Sequence, residues 1–318
     1  MNIRALQSLC EVVDRGLRIS DAAGSLNRSQ PSVTRQVQEL EREVGFSIFE
    51  RRRNRILRVT PQGEELIAIS RRVLHEMQNI RRLSGDVSRA NEGPLTIATT
   101  NTQARHILPR FLNAYTASYP KVSLTLQQAD PVRCHELVSD GQADISICTA
   151  VPTARRDVAF VPCYLLSRAL VVPSEHPLLQ VKPLTLEAIA RHPLITYNHG
   201  FSGRHAVEHA FQSRGLTPHI VVNALDADVA KAFVEQGLGV AVLATISFNA
   251  ERDTKLRCRP AAHLFASSQL GIVLRRNSYL RGYMVAFVRA FAPHIARARL
   301  DDAIAGVAPP PQEELPAL

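Results

Sequence analysis

Residues 99–103, Thr-Thr-Asn-Thr-Gln, gather three hydroxyls and two carboxamides directly after the apolar run Pro94–Ala98, with no acid among them. Small neutral donors at the carboxyl end of a strand, where the next helix begins, suit a small anion held by hydrogen bonds. The first N–H groups of a helix are unpaired and lie at its positive end. Thr149, at the end of "ADISICT", and Ser202 with Gly203, in "GFSGR", offer further donor positions. Helix capping is the competing reading, because Thr and Ser open helices routinely.

A second cluster has different chemistry. Arg51, Arg52, Arg53, Arg55 and Arg58 follow Glu50 with no intervening acid. Guanidinium groups at that density suit phosphates. They come just after a segment whose polar residues fit base edges. In "QPSVTRQVQELEREVG", Val33, Val37, Leu40 and Val44 form one apolar stripe, leaving Ser32, Arg35 and Gln38 on the far side and Thr34 on the flank. Arginine reads guanine in the major groove and glutamine reads adenine.

The elements that must position these groups follow from periodicity. Ile3, Leu6, Leu9, Cys10 and Val13 predict a first helix ending near Gly16. Ser20 is a candidate N-cap for a short second helix carrying Ala22, Ala23 and Leu26. Arg28 and Gln30 lie in the turn and Pro31 in the first turn of the third helix, which together make a helix-turn-helix. A short hairpin around Ile56–Val59 carries the arginines as a wing. A helix of about thirty residues starts at Thr60-Pro61. Leu66, Val73, Ile80 and Val87 at intervals of seven, with Ile69 and Leu83 between, predict a coiled-coil dimer seam.

From Pro94 onward strands and helices alternate, which implies open α/β sheets. "LTIAT", a helix over 104–117, "VSLTL", "RCHELVSDG" and "ADISICTA" make one lobe; "SRALVVP" through "GVAVLA" makes another, and "LGIVLRR" returns to the first. Such sheets bind ligands beyond the carboxyl ends of their strands.

Totals narrow the function classes. The chain has 318 residues, 45% hydrophobic and 21% charged, with a formal net charge of +9. A positive balance favours acidic partners such as nucleic acid. The charge is not lopsided, at +4 over residues 1–93 and +5 beyond, so only local clustering locates a DNA-binding face. Five scattered cysteines with no CxxC spacing argue against a disulfide framework or a structural zinc. No run approaches the ~18 apolar residues of a membrane span. The N-terminus carries Glu11 and Asp14 and reads as no secretory signal, so a cytoplasmic protein is expected. The sequence has no GxGxxG, GxxxxGK[ST] or HExxH pattern, which counts against an enzyme. His205 and His209 have metal-compatible spacing but no evident third ligand. A secreted solute-binding protein would explain the second half but not the helix-turn-helix.

The stretch "SQPSVTRQVQELEREVGFSIFERR…VTPQGEEL" resembles the N-terminal domain of LysR-type transcriptional regulators. "TTNTQAR…LP", "PCYLLSRALVV…HPL", "ITYNHGFSGR" and "DADVAKAFVEQGLGVAV" resemble the CysB branch, which controls sulfur acquisition. The resemblance implies an α/β chain with a winged helix-turn-helix over 1–60 and a linker and dimerisation helix over 61–91. It also implies an effector domain like a periplasmic binding protein over 92–300, with lobe I about 92–163 and 268–300 and lobe II about 164–267. Residues 301–318 read as a flexible tail. The resemblance further implies promoter DNA, RNA polymerase and a homotetramer as partners, and no cofactor. The effector implied is sulfate, thiosulfate, adenosine phosphosulfate or O- or N-acetylserine. The sulfate-site positions carry over to Thr100, Thr102, Gln103, Thr149 and Ser202, with Asn101 where the branch often has His. Leu166 stands where Trp is expected, and the chain has no Trp.

Overall fold

A computed structural model describes residues 2–52, 55–89, 91–152, 155–307 and 315–318, with backbone alone for 75, 78 and 81–89. The chain divides into two compact units, Met1–Ser88 and Arg89–Leu318.

The first unit packs α1 (Ile3–Asp14), α2 (Ile19–Ser25) and α3 (Gln30–Val44) around Leu6, Leu9, Val12, Ala22, Val33, Val37 and Leu40. The predicted stripe of α3 faces this core, with Val44 at its half-buried margin. In α1 the buried line is Ala5, Leu6, Leu9 and Val12, while Ile3 is exposed and Val13 half-buried. Ser20 does not cap α2: the cap position is Arg18, and the Ser20 hydroxyl instead bonds Asp21. A hairpin of β1 (Phe49–Arg52) and β2 (Arg55–Val59) follows, pairing Phe49 with Val59. Helix α4 (Pro61–Arg89) is capped by Thr60, whose hydroxyl accepts from the Gly63 N–H at 3.0 Å. Leu66, Ile67 and Leu74 of α4 pack on the unit's own core, so Leu66 belongs to the fold rather than to an external seam. Ile69, Val73 and Ile80 remain exposed.

The second unit has two lobes. Lobe I begins with β3 (Gly93–Thr99), α5 (Asn101–His106), α6 (Pro109–Ser118), β4 (Val122–Gln128), α7 (Pro131–Ser139), β5 (Ile145–Thr149) and β6 (Val158–Leu166). The chain crosses into β7 (Arg168–Pro173), α8 (Leu186–Ala190), β8 (Leu194–Tyr197), α9 (Ser202–Gln212), β9 (Ile220–Ala224), α10 (Ala227–Glu235), β10 (Val240–Ala244) and β11 (Leu256–Pro260) of lobe II. It returns through β12 (Ser268–Arg275), α11 (Gly282–Phe291) and α12 (Arg297–Ala305). The sheet orders are β4-β3-β5-β12-β6 and β11-β7-β10-β8-β9. Both are mixed, because β12 and β7 run antiparallel to their neighbours.

Period-two burial builds the layers. Ile145 and Ile147 of β5 face the cluster holding α6 and α11, whereas Cys148 faces α7. In lobe II, Leu170 and Val172 face α8 and α9 while Val171 faces α10. Three expectations are corrected. The single helix predicted over 104–117 is two, because Pro109 has no N–H to continue the first. Strands β6 and β11 were not anticipated. The segment after 300 is not a free tail throughout: α12 continues to Ala305 and buries Ile304, and Pro316 and Leu318 bond the backbone of Leu165. All five cysteines are free, and burial pushes the Cys163 thiol up to about 12.

Phe287 is fully buried in lobe I, edge-on to Phe111 at 5.4 Å and to Tyr115 at 5.2 Å. Phe287→Ala is expected to destabilise the effector unit by ~3–5 kcal/mol, read as a lower midpoint in chemical denaturation of that unit.

Candidate nucleic-acid interface and ligand pocket

In the first unit α3 presents Gln30, Pro31, Arg35 and Gln38 to solvent, with Ser32 and Thr34 half-buried beside them. The Thr34 hydroxyl donates back to the Gln30 carbonyl at 3.0 Å. Gln30, Arg35 and Gln38 are the long polar side chains of this face that are exposed. Arg28 is placed differently from expectation. One of its nitrogens donates to the Arg4 carbonyl, Ser8 and Gln36, and the other to Gln7. It is a strut between α1 and α3, not a free hand for DNA. Arg51 is also engaged, 2.9 Å from Glu41, whose carboxylate also accepts from the N–H groups of Ile48 and Phe49. Arg58 pairs with Glu50. Arg52 and Arg55, paired across the hairpin, are exposed, and Arg53 lies outside the described residues. Ser20 is exposed.

In the second unit the strand ends converge. Thr100, Thr102 and Gln103 follow β3, Thr149 ends β5 and Leu166 ends β6. Tyr197 ends β8, Ala244 ends β10, and Ser202 and Gly203 open α9. All line one cavity of about 30 Å³, together with Pro131, Phe201 and Arg168. The predicted residues are thus brought together except Asn101. Its amide donates to Asp226 at 2.9 Å, so Asn101 ties α5 of lobe I to the start of α10 instead of facing the cavity. Arg105, 3.2 Å from Asp228, adds a second tie between the same helices.

Arg168 is the residue that the spacing argument did not find. It is only 3% exposed, and its Nη2 donates to Ser268 on the returning crossover strand. Its Nε has no hydrogen-bond partner, and no carboxylate among the described residues pairs with it. Burial pulls its pKa down from the ordinary value. An arginine nevertheless stays charged in a protein. The anion chemistry predicted from neutral donors alone is corrected here, because a full positive charge stands at the cavity wall. Tyr197, fully buried beside it, has its pKa raised by burial against the opposing pull of Arg168. Thr102 and Tyr197 line the same cavity.

Gly203 makes this packing feasible. A Cβ there would sit 2.8 Å from the Tyr197 ring and 3.2 Å from Nη1 of Arg168. Gln103 is 3% exposed, and its side-chain oxygen has no hydrogen-bond partner. The array is donor-rich and cationic, and it contains no carboxylate. It can hold a compact anion, and it has no nucleophile–base pair for catalysis.

A larger groove of about 760 Å³ adjoins the cavity and shares Phe201 and Ser202 with it. His205 and His209 line this groove with ring centroids 6.3 Å apart, and no group of three or more metal-ligating side chains occurs among the described residues.

Comparison with known proteins decides the family. Residues 3–64 match the bacterial regulatory helix-turn-helix protein, lysR family, and residues 88–296 match the LysR substrate binding domain. The chain belongs to the LysR family of transcriptional regulators. It is 40% identical over 303 residues to the HTH-type transcriptional regulator CysB of Haemophilus influenzae, covering 95% of this chain and 94% of that one. It is 36% identical over 300 residues to the regulator SsuR of Burkholderia cenocepacia, covering 94% and 97%. The crystal structure of the cofactor-binding domain of the Cbl transcriptional regulator superposes with a TM-score of 0.64 at 35% identity, covering 67% of this chain and 94% of that one. These relatives are LysR-type regulators and not enzymes. No described helix is long and apolar enough to cross a membrane.

Two substitutions separate packing from contact. Gly203→Ala is expected to displace Tyr197 and Arg168 and weaken anion binding by ~1.4 kcal/mol or more, at least tenfold in Kd by calorimetry. Arg28→Ala is expected to lower the stability of the DNA-binding unit by ~1.5–3 kcal/mol, the range for hydrogen bonds to a charged group, read as a lower midpoint in chemical denaturation, with little change in the DNA affinity of the folded protein.

Proposed function

We propose that this LysR-family protein regulates genes of sulfur acquisition, meaning sulfate and cysteine or sulfonate use, in response to a small anion or metabolite of sulfur assimilation bound between its lobes. The observation that carries the reading is Arg168, a buried guanidinium with no carboxylate partner among the described residues, at a cavity lined by Thr100, Thr102, Thr149 and Ser202. A buried charge is costly unless it is paired, and a bound anion supplies the missing partner. Sulfate, thiosulfate, adenosine phosphosulfate and O- or N-acetylserine are the effectors to test. The likeness to CysB and SsuR supports the sulfur assignment.

In this reading Arg35 and Gln38 read the major groove of promoter DNA and Arg52 and Arg55 grip phosphates. The exposed Ile69, Val73 and Ile80 seam of α4 joins two chains, and paired dimers make a homotetramer that contacts RNA polymerase in the cytoplasm. Effector binding acts only as far as it favours one lobe arrangement over another. Asn101, next to Thr100 and Thr102 and bonded to Asp226 across the lobes, is placed to register that difference.

Arg35→Ala is expected to weaken specific promoter binding by ~1–3 kcal/mol and to relax sequence preference at one base position. Thr102→Val is expected to abolish the effector response while leaving DNA binding without effector intact, as measured by mobility shift with and without ligand. A Thr102→Val protein that responds like wild type would show that the hydroxyl serves only local packing.

A further inference from the structure

The 30 Å³ cavity and the 760 Å³ groove are not separate features. Phe201 and Ser202 belong to both walls, and Ala150 in the groove directly follows Thr149 in the cavity. Ser268, which accepts from Arg168, also lines the groove. Free sulfate would occupy the cavity and leave the groove empty. The groove has the volume of a small-molecule site, typically ~300–1,000 Å³.

We infer that the two form one bipartite site, and that the effector is a tetrahedral sulfur oxyanion carrying a flat, aryl-sized organic substituent. This rests on the anion reading above and adds the substituent. The oxyanion sits against Arg168 and the hydroxyls, and the substituent leaves past Phe201 and Ser202 into the groove.

The groove's chemistry selects the substituent. Ala150, Val151, Pro152, Ala206 and Ala266 supply apolar wall. His205 and His209, on successive turns of α9, supply two imidazole rings, and Phe201 supplies a third ring, itself stacked on Tyr197 at 5.5 Å. Aromatic walls of this kind favour a flat ring through offset or edge contacts. The groove's one acid, Glu208, is held by Arg204 at 2.6 Å, and Arg204 also bonds Asn223. No spare carboxylate is left to select a cationic substituent, which points to a neutral ring.

Calorimetric titration of the full-length protein tests this with inorganic sulfate, methyl sulfate and phenyl sulfate. The last two carry the same charge and differ in the substituent. Phenyl sulfate is expected to bind at least ~tenfold more tightly than methyl sulfate. The exposed pair His205→Ala and His209→Ala, made together, is expected to remove that advantage while leaving methyl sulfate affinity within about twofold, since these side chains lie outside the oxyanion cavity. Sulfate and methyl sulfate binding with no gain for phenyl sulfate would overturn the bipartite site and leave the anion reading standing. A gain that survives in the double variant would place the ring elsewhere and overturn it too. Absence of binding by all three would overturn the bipartite site, and thiosulfate titrated alongside would show whether the anion reading survives it.

Discussion

The effector domain is organised around one buried positive charge. Arg168 begins β7 directly after the first crossover between lobes, and it bonds Ser268, the first residue of β12 after the second crossover. Both connections therefore meet at a guanidinium that is 3% exposed and has no carboxylate partner among the described residues. A hydrophobic residue in its place would pack at lower electrostatic cost. Retaining the charge makes physical sense if something negative arrives. The surroundings are consistent with that: hydroxyls and an amide from both lobes face the cavity, a glycine leaves room for the guanidinium, and no acid intrudes.

The same economy of charge runs through the DNA-binding unit, with the opposite outcome. There the arginines are numerous, and the acids decide which remain available. Glu41 holds Arg51, Glu50 holds Arg58, and a ring of neutral acceptors holds Arg28. Within the described hairpin, Arg52 and Arg55 keep their charge in solvent, and on α3 so does Arg35. The exposed guanidiniums thus emerge from subtraction: Arg28 and Arg51 serve as struts, Arg58 faces outward in an ion pair with Glu50, and Arg35, Arg52 and Arg55 face solvent.

This explains which parts were legible in the sequence. The α3 stripe, the hairpin after it and the alternation of the effector lobes are set by local periodicity, and they appear where the spacing put them. The convergence of Thr100, Thr102, Gln103, Thr149 and Ser202 was legible because strand-end hydroxyls in an α/β sheet face one side. Arg168 was not, because a single arginine opening an apolar strand carries no periodic signal. Only burial and the absence of a partner make it distinctive. Asn101 misled for the converse reason: its neighbours face the cavity, but its own side chain spans to Asp226, a contact 125 residues away along the chain. Arg28 and Arg51 misled because their acceptors lie on other elements. The composition of residues 301–318 reads as a mobile tail, yet Ile304 belongs to the lobe I core and Leu318 packs against it.

The most direct test of the central claim is thermal denaturation of wild type and Arg168→Met side by side, with and without sulfate at matched ionic strength. If the guanidinium awaits an anion, the variant will be at least as stable as wild type without sulfate, because an unpaired buried charge is gone. It will also lose the part of the sulfate-induced rise in Tm that comes from site binding. A variant that is less stable without sulfate and keeps the full rise would contradict the account, making Arg168 a structural tie between crossovers and nothing more.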